Sequence, residues 1–178
     1  MKILRVMIFV YPTETCYGLG CSAFNRKEIM KIYRLKKRPL SKPMIVLVDS
    51  IIMWKTICDV SSEALVFARK YWPGPVTIIQ PKKKCIPDIL TERDLGVRIS
   101  SHPAPNRIIK NLRVPIVSTS ANISGGKNPY SIKDIPKSIL DSVGQVFDEG
   151  ELPYSPPSTV IRIESNKIKV LRKGRIIL

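Results

Sequence analysis

The sequence predicts a mixed α/β fold in which a three-layer, twisted mixed sheet is flanked by helices. The first observation behind this prediction is that short apolar segments rich in β-branched residues interleave with amphipathic segments of helical period. The second is that residues 159–163 and 168–171 alternate apolar and polar side chains across a polar turn, as in a hairpin with one buried face. With 178 residues, 44% of them hydrophobic, the chain is expected to form one domain over residues 1–178.

The individual elements follow from the apolar patterns and from the residues that end them. Residues 3–10 form a near-continuous apolar run that predicts a central strand, which Pro12 ends. Gly18 and Gly20 then predict a tight turn. A helix is expected from a Ser61 or Ser62 cap to about Tyr71. We expect further helices at residues 26–36, 104–112 and 135–143, and further strands at residues 44–48, 76–79, 95–99, 114–117 and 146–148.

The stretch from Val114 to Gly126 indicates a site. Bulky residues predict a buried strand through Ile116 and Val117, and ligands bind just beyond such strand ends in α/β sheets. The glycine pair that ends the stretch allows backbone N–H groups to approach an anion. By composition alone, the same stretch would fit a polar surface loop. Its small polar residues are Ser118, Thr119, Ser120, Asn122 and Ser124.

A second candidate feature is the basic segment from Arg26 to Lys42, which carries eight basic residues and the single acid Glu28. The predicted helix ends near Pro39, and extended chain there would turn Lys36 and Arg38 to one side, toward phosphate or carboxylate oxygens. The alternative is that these charges form a solvated helix face.

Two single residues also call for an explanation. Arg98 lies inside an otherwise apolar strand, where an unpaired charge is costly to bury. It is therefore either paired with a carboxylate of the chain or directed at an anionic ligand. His102 precedes a predicted helix, and we expect it to be a cap or a packing residue rather than a catalyst.

Composition limits the chemistry. The 30 basic and 14 acidic residues give a formal charge of +16, which suggests polyanionic partners, although part of it could be solvated surface charge. A single histidine excludes a His-based metal cluster and a Ser-His-Asp triad. The four cysteines form no metal-ligand spacing, so reduced and mostly buried thiols are expected. Without a signal peptide pattern or a membrane-spanning run, the protein is expected to be soluble and cytoplasmic, with no membrane partner.

Several motifs, taken together and in order, resemble the YrdC family, the threonylcarbamoyl-AMP synthases, and they span nearly the whole chain. The paired K-x-R and S-x-N signatures are the most specific of them. The motifs are YPTETCYGLG at 11–20, KKRP at 36–39 followed by KP at 42–43, WPGP at 72–75, GVR at 96–98 and SANISG at 120–125. Residues 158–160 and 171–172 resemble the family's closing segments.

This resemblance implies a large, basic, concave pocket and the condensation of L-threonine, bicarbonate or CO₂, and ATP into threonylcarbamoyl-AMP and pyrophosphate. A downstream transferase would then modify the tRNA adenosine next to the anticodon. Mg²⁺ is expected with ATP, and no protein metal ligands are expected. The resemblance assigns threonine or its carbamate to Thr15, Arg98, Ser120 and Ser158, and it assigns ATP to Lys36, Arg38, Lys42, Asn122 and Arg172. Lys36, Arg38, Ser120 and Asn122 would be catalytic.

Two other functions remain open at this point. A non-catalytic module that binds double-stranded RNA or tRNA would suit the charge, although no RNP-like aromatic motif is present. A carbamoyl-adenylate former acting in metal-centre maturation would share the fold and differ in its acceptor.

Overall fold

The computed structural model describes residues 7–164 and 167–178. Within these residues the chain forms nine strands and five α-helices. The strands are β1 (Phe9–Pro12), β2 (Tyr17–Gly20), β3 (Ile45–Leu47), β4 (Val76–Pro81), β5 (Asp94–Arg98), β6 (Ile116–Ser120), β7 (Gln145–Val146), β8 (Thr159–Glu164) and β9 (Lys167–Arg172). The helices are α1 (Arg26–Leu35), α2 (Ile51–Ile57), α3 (Ser62–Tyr71), α4 (Pro103–Leu112) and α5 (Lys137–Leu140).

All nine strands join in one sheet, in the order β7-β1-β2-β6-β3-β5-β4-β8-β9. Most neighbours are antiparallel, but β1 runs parallel to β7, β3 to β5 and β4 to β8. The sheet is therefore mixed, as the sequence predicts.

Alternate residues along the central strands face opposite sides of the sheet, and each side is covered by different helices. One side carries Val10, Val46 and Val117, which join the apolar residues of α1, α2 and α3 in the larger core cluster. The other side carries Phe9 and Leu47, which pack with buried residues of α4. Helices on both faces give the predicted three layers.

Side-chain caps explain where several helices begin. Ser61 Oγ accepts a hydrogen bond from the Ala64 amide at the start of α3, which confirms the predicted cap. His102 Nδ1 accepts from the Ala104 amide at the start of α4, which confirms that this histidine is a cap. None of the helices in the described residues is long and apolar enough to cross a membrane.

Several sequence predictions need correction. Helix α2 was not predicted, and α5 and β7 are shorter than expected. The tight turn predicted at Gly18 and Gly20 is instead part of strand β2, which forms a hairpin with β1. The second strand of the C-terminal hairpin has no buried face, because every residue of β9 is exposed, including Val170 at 39%. The start of the predicted strand at 3–10 lies outside the described residues.

Gly20 is needed in β2 for close packing rather than for a turn. A Cβ atom at this position would lie 2.3 Å from the Val117 carbonyl oxygen, which is closer than real Cβ atoms come to a backbone oxygen. The neighbouring strand therefore approaches β2 at a point where only glycine fits.

We expect Gly20→Ala to lower the free energy of unfolding by about 2 kcal/mol or more, because backbone must move to admit the methyl group. Gly18→Ala on the same strand is the matched control, since its Cβ would meet only the Tyr11 ring, at 3.2 Å. Urea denaturation of both variants gives the comparison. Equal stability losses would contradict the close-packing explanation.

Candidate active site

A cavity of about 470 Å³ opens on the α4 side of the sheet, beyond the part that the helix covers. We call it the central cavity. Its floor is formed by the pocket-facing residues of the central strands, among them Gly18, Ile45, Gly96 and Ser118. Six predicted site residues line it: Thr15, Arg38, Arg98, Ser120, Ser158 and Arg172. Lys36, Lys42 and Asn122 do not line it.

Lys36 lies behind the cavity wall with only 1% of its surface exposed. Its Nζ donates hydrogen bonds to the carbonyl oxygens of Ser120 and Asn122, the latter at 2.7 Å, and to Asn122 Oδ1 at 3.0 Å. The Lys36 carbonyl accepts a hydrogen bond from the Ser124 amide at 2.8 Å. The end of α1 is thus tied to the segment after β6 through both side chain and backbone.

The amide of Asn122 is fully engaged in this arrangement. Its Oδ1 accepts from Lys36 and, at 2.7 Å, from Ser120 Oγ, while its Nδ2 donates to the carbonyls of Gly126 and Lys127. The Ser120 hydroxyl therefore donates its hydrogen bond to Asn122. The Ser120 hydroxyl oxygen can still accept a hydrogen bond from a donor in the cavity. Lys36 and Asn122 hold Ser120 in place from outside the cavity.

Arg38 faces the cavity although the chain before it is not extended. Lys36 ends the helix in α geometry and Lys37 has a positive φ of 50°, so a tight turn separates the two predicted cations. Arg38 donates from Nε to the Lys42 carbonyl and from Nη2 to the Pro43 carbonyl, both at 2.8 Å. The structure therefore places Lys36 in the wall and Arg38 in the cavity, while the Lys42 side chain is exposed outside it.

Arg98 is both paired with a carboxylate of the chain and located at the cavity, the two alternatives that the sequence leaves open. Its Nη1 lies 3.1 Å from Glu14 Oε1 in a buried ion pair, and Glu14 also accepts a hydrogen bond from Ser100 Oγ. Arg98 nevertheless lines the cavity. Its Nη1 contact with Glu14 is an ion pair without hydrogen-bond geometry, and its buried Nε has no hydrogen-bond partner among the described residues. The role of Glu14 was not predicted from the sequence, although an acid among the hydroxyl residues of PTET is a signal that could have indicated it.

Arg172 contacts Ser158. Its guanidinium donates to the Ser158 carbonyl from Nη2 at 2.8 Å and from Nε at 3.1 Å, and to the Ser158 hydroxyl at 2.9 Å. The C-terminal strand thus contributes to the cavity wall. Arg172 as a whole is exposed, but partial burial of its guanidinium, together with the nearby positive charges of Arg98 and Arg38, lowers its pKa. The side chains of Arg38, Arg98, Arg162 and Arg172 thus line one cavity, which favours binding of an anion there.

The hydroxyls and thiol near the first hairpin complete the lining. Thr15 is buried, and its Oγ1 lies 3.0 Å from Thr13 Oγ1. Cys16 also lines the cavity, but burial raises its pKa to about 11, so at neutral pH it is a thiol rather than a thiolate nucleophile. Three of the four free cysteines are buried, as predicted, and Cys85 is exposed.

The cavity is poorly suited to hold a metal ion by protein ligands alone. The two carboxylates beside it are engaged, Glu14 with Arg98 and Asp94 with Arg162 at 2.7 Å. In the described part of the chain, no group of three or more His, Cys, Asp and Glu side chains could hold a metal ion. The donor set instead consists of cations and hydroxyl groups, which suits a polyanionic ligand.

The sequence was compared with models of known protein families. The Sua5/YciO/YrdC family model, described as "Telomere recombination", matches residues 3–174. The chain therefore belongs to the Sua5/YciO/YrdC family, which confirms the family resemblance found in the motifs.

Individual relatives cover nearly all of the chain. A protein of Methanocaldococcus jannaschii is 39% identical over 176 residues, which are 98% of this chain and 83% of that protein. The threonylcarbamoyl-AMP synthase of Pyrococcus abyssi is 31% identical over 170 residues, which are 94% of this chain and half of that enzyme. The structure of Pyrococcus abyssi Sua5 complexed with L-threonine superposes with a TM-score of 0.89 at 30% identity, again over 94% of this chain and half of the other.

The buried position of Lys36 predicts a pH dependence of stability. Burial and the charge of Arg38 lower its pKa from 10.5 to about 8. Between these values the unfolded chain keeps the proton that the folded protein has lost, so the unfolded state binds more protons and the free energy of unfolding rises with pH. This contribution is at most about 1 kcal/mol per pH unit.

Lys36→Met removes this titration. We therefore expect the wild-type protein to gain stability relative to Lys36→Met between pH 8 and pH 10, as measured by urea denaturation across that range. Lys37→Met, which removes an exposed lysine from the same turn, is the matched control. A stability difference between wild type and Lys36→Met that stays constant with pH would contradict the assigned pKa.

Proposed function

We propose that the protein is an L-threonylcarbamoyladenylate synthase, which condenses L-threonine, carbon dioxide or bicarbonate, and ATP into threonylcarbamoyl-AMP and pyrophosphate. The observation that carries this proposal is the central cavity, in which four arginine side chains lie beside a wall of small hydroxyl groups. Membership of the family and the relatives named threonylcarbamoyl-AMP synthase support it.

The chemistry requires positioning more than an acid-base pair. The threonine nitrogen attacks the carbon of CO₂ and loses a proton, which gives a carbamate. A carbamate oxygen then attacks the α-phosphorus of ATP as the bond to the leaving pyrophosphate breaks. Cations and hydrogen-bond donors that surround the reacting anions stabilise such a step.

In this proposal the chain's residues divide into two sets around the reacting groups. Thr15, Arg98, Ser120 and Ser158 bind threonine or its carbamate, with the positive charge of Arg98 placed at the cavity to attract an anionic oxygen. Arg38 neutralises phosphate oxygens. Lys36 and Asn122 hold Ser120, and a direct contact of either with ATP stays a prediction that would require them to leave their present hydrogen bonds.

The remaining assignments are also proposals. ATP contacts from Lys42 and Arg172 would need the exposed Lys42 side chain to turn inward and Arg172 to reach beyond Ser158. Mg²⁺ would arrive with ATP and lower the negative charge of its phosphates. The product would pass to a tRNA threonylcarbamoyl transferase in the cytoplasm, and the exposed basic residues of α1 would suit a tRNA or double-stranded RNA.

The function is tested by following pyrophosphate release from ATP. We expect release by the purified protein to require both L-threonine and bicarbonate. Release without threonine, or none with all three substrates, would contradict the proposal. The second outcome, together with tight RNA binding, would favour the non-catalytic RNA-binding module. Dependence on carbamoyl phosphate would favour the carbamoyl-adenylate former.

Within that assay, Arg38→Ala should lower kcat/KM by about 30-fold, because removing one preorganised cationic donor costs about 2 kcal/mol of transition-state binding. Arg34→Ala is the matched control, since Arg34 is an exposed arginine near the end of α1, just before the turn that carries Arg38. Near wild-type kinetics in Arg38→Ala would remove Arg38 from the nucleotide site.

A further inference from the structure

Thr77 lies beneath the cavity wall and contacts Ser158, a residue of that wall. It is fully buried in β4, and its Oγ1 lies 2.9 Å from the hydroxyl of Ser158, which lines the cavity. The same hydroxyl accepts a hydrogen bond from Arg172 Nη2, also at 2.9 Å. Neither the sequence motifs nor the proposed division of roles gives Thr77 a function.

The donor properties of the three groups restrict how the protons are arranged. A guanidinium can only donate, so Ser158 Oγ accepts from Arg172. If Thr77 also donates to Ser158 Oγ, both lone pairs of that oxygen are occupied and its own proton is free to point into the cavity. If Ser158 instead donates to Thr77, the Ser158 hydroxyl has no proton left to donate to a ligand.

An anion in the cavity favours the arrangement in which Thr77 donates to Ser158, because the Ser158 hydroxyl can then donate to the anion. A hydrogen-bond chain from Thr77 through Ser158 to an anionic oxygen is cooperative, because each donated bond makes the next donor stronger in a site of low dielectric constant. The Thr77 hydroxyl has no other hydrogen-bond partner among the described residues, so nothing else there fixes its proton.

We propose that Thr77 is a positioning residue which, with Arg172, turns the Ser158 hydroxyl into a hydrogen-bond donor to the carboxylate or carbamate oxygen of the threonine substrate. This inference rests on the proposed function and goes beyond it by assigning a specific task to a buried residue. Thr77 itself does not line the cavity and so acts only through Ser158.

The hydroxyl and the methyl group of Thr77 can be removed separately by substitution. Thr77 Cγ2 packs closely over Gly96, where an added Cβ would lie only 3.1 Å away, so the methyl group has a packing role of its own. Thr77→Val keeps that methyl group and the β-branched shape but loses the hydroxyl. Thr77→Ser keeps the hydroxyl and loses the methyl group.

We expect Thr77→Val to raise the KM for L-threonine about five- to tenfold, the effect of losing one hydrogen bond to an anion, while kcat and the KM for ATP change less than about twofold. Thr77→Ser should restore a near wild-type KM for threonine even if it is less stable. Steady-state pyrophosphate release, with each substrate varied in turn, gives these constants. Thr77→Ala is a second hydroxyl-free variant if Thr77→Val does not fold.

A double-mutant comparison separates this role from a merely structural one. If Thr77 acts through Ser158, adding Thr77→Val to Ser158→Ala should leave the KM for threonine as it is in Ser158→Ala alone. The inference is overturned if Thr77→Val leaves the KM for threonine unchanged, raises only the KM for ATP, or adds its full effect in the Ser158→Ala background. A wild-type protein without threonine-dependent release would instead overturn the proposed function.

Discussion

The ammonium group of Lys36 donates hydrogen bonds to three oxygens of the 120–122 segment while it is almost completely removed from water. Burying such a charge is unfavourable unless its donors are satisfied, so the lysine and the oxygens depend on each other. The same contact joins two motifs that are more than 80 residues apart in the chain. The cavity wall that carries Ser120 exists in this form because of it.

Other parts of the site follow the same pattern, in which a residue behind the wall fixes a residue that faces the ligand. Asn122 holds the Ser120 hydroxyl, Glu14 holds Arg98, and Thr77 contacts the Ser158 hydroxyl. Preorganisation of this kind suits a reaction whose catalysis consists mainly of placing charges and donors around anionic substrates.

The sequence predicted the layers, the order of most elements, and local features such as the Ser61 cap, because these depend on patterns a few residues long. It also identified Arg98 as a buried cation with two possible partners. It could not distinguish Lys36 in the wall from Arg38 in the cavity, because that difference arises from a turn at Lys37 and from a distant segment. The strand role of Gly20 likewise depends on how closely β6 approaches.

The most direct test of this account is a crystal structure with L-threonine and a non-hydrolysable ATP analogue bound together. The account predicts threonine beside Arg98, Ser120 and Ser158, phosphates beside Arg38, and Lys36 Nζ still within hydrogen-bond distance of the Ser120 and Asn122 oxygens. A structure in which Lys36 leaves these oxygens to bind phosphate, or in which the ligands lie outside the central cavity, would contradict it.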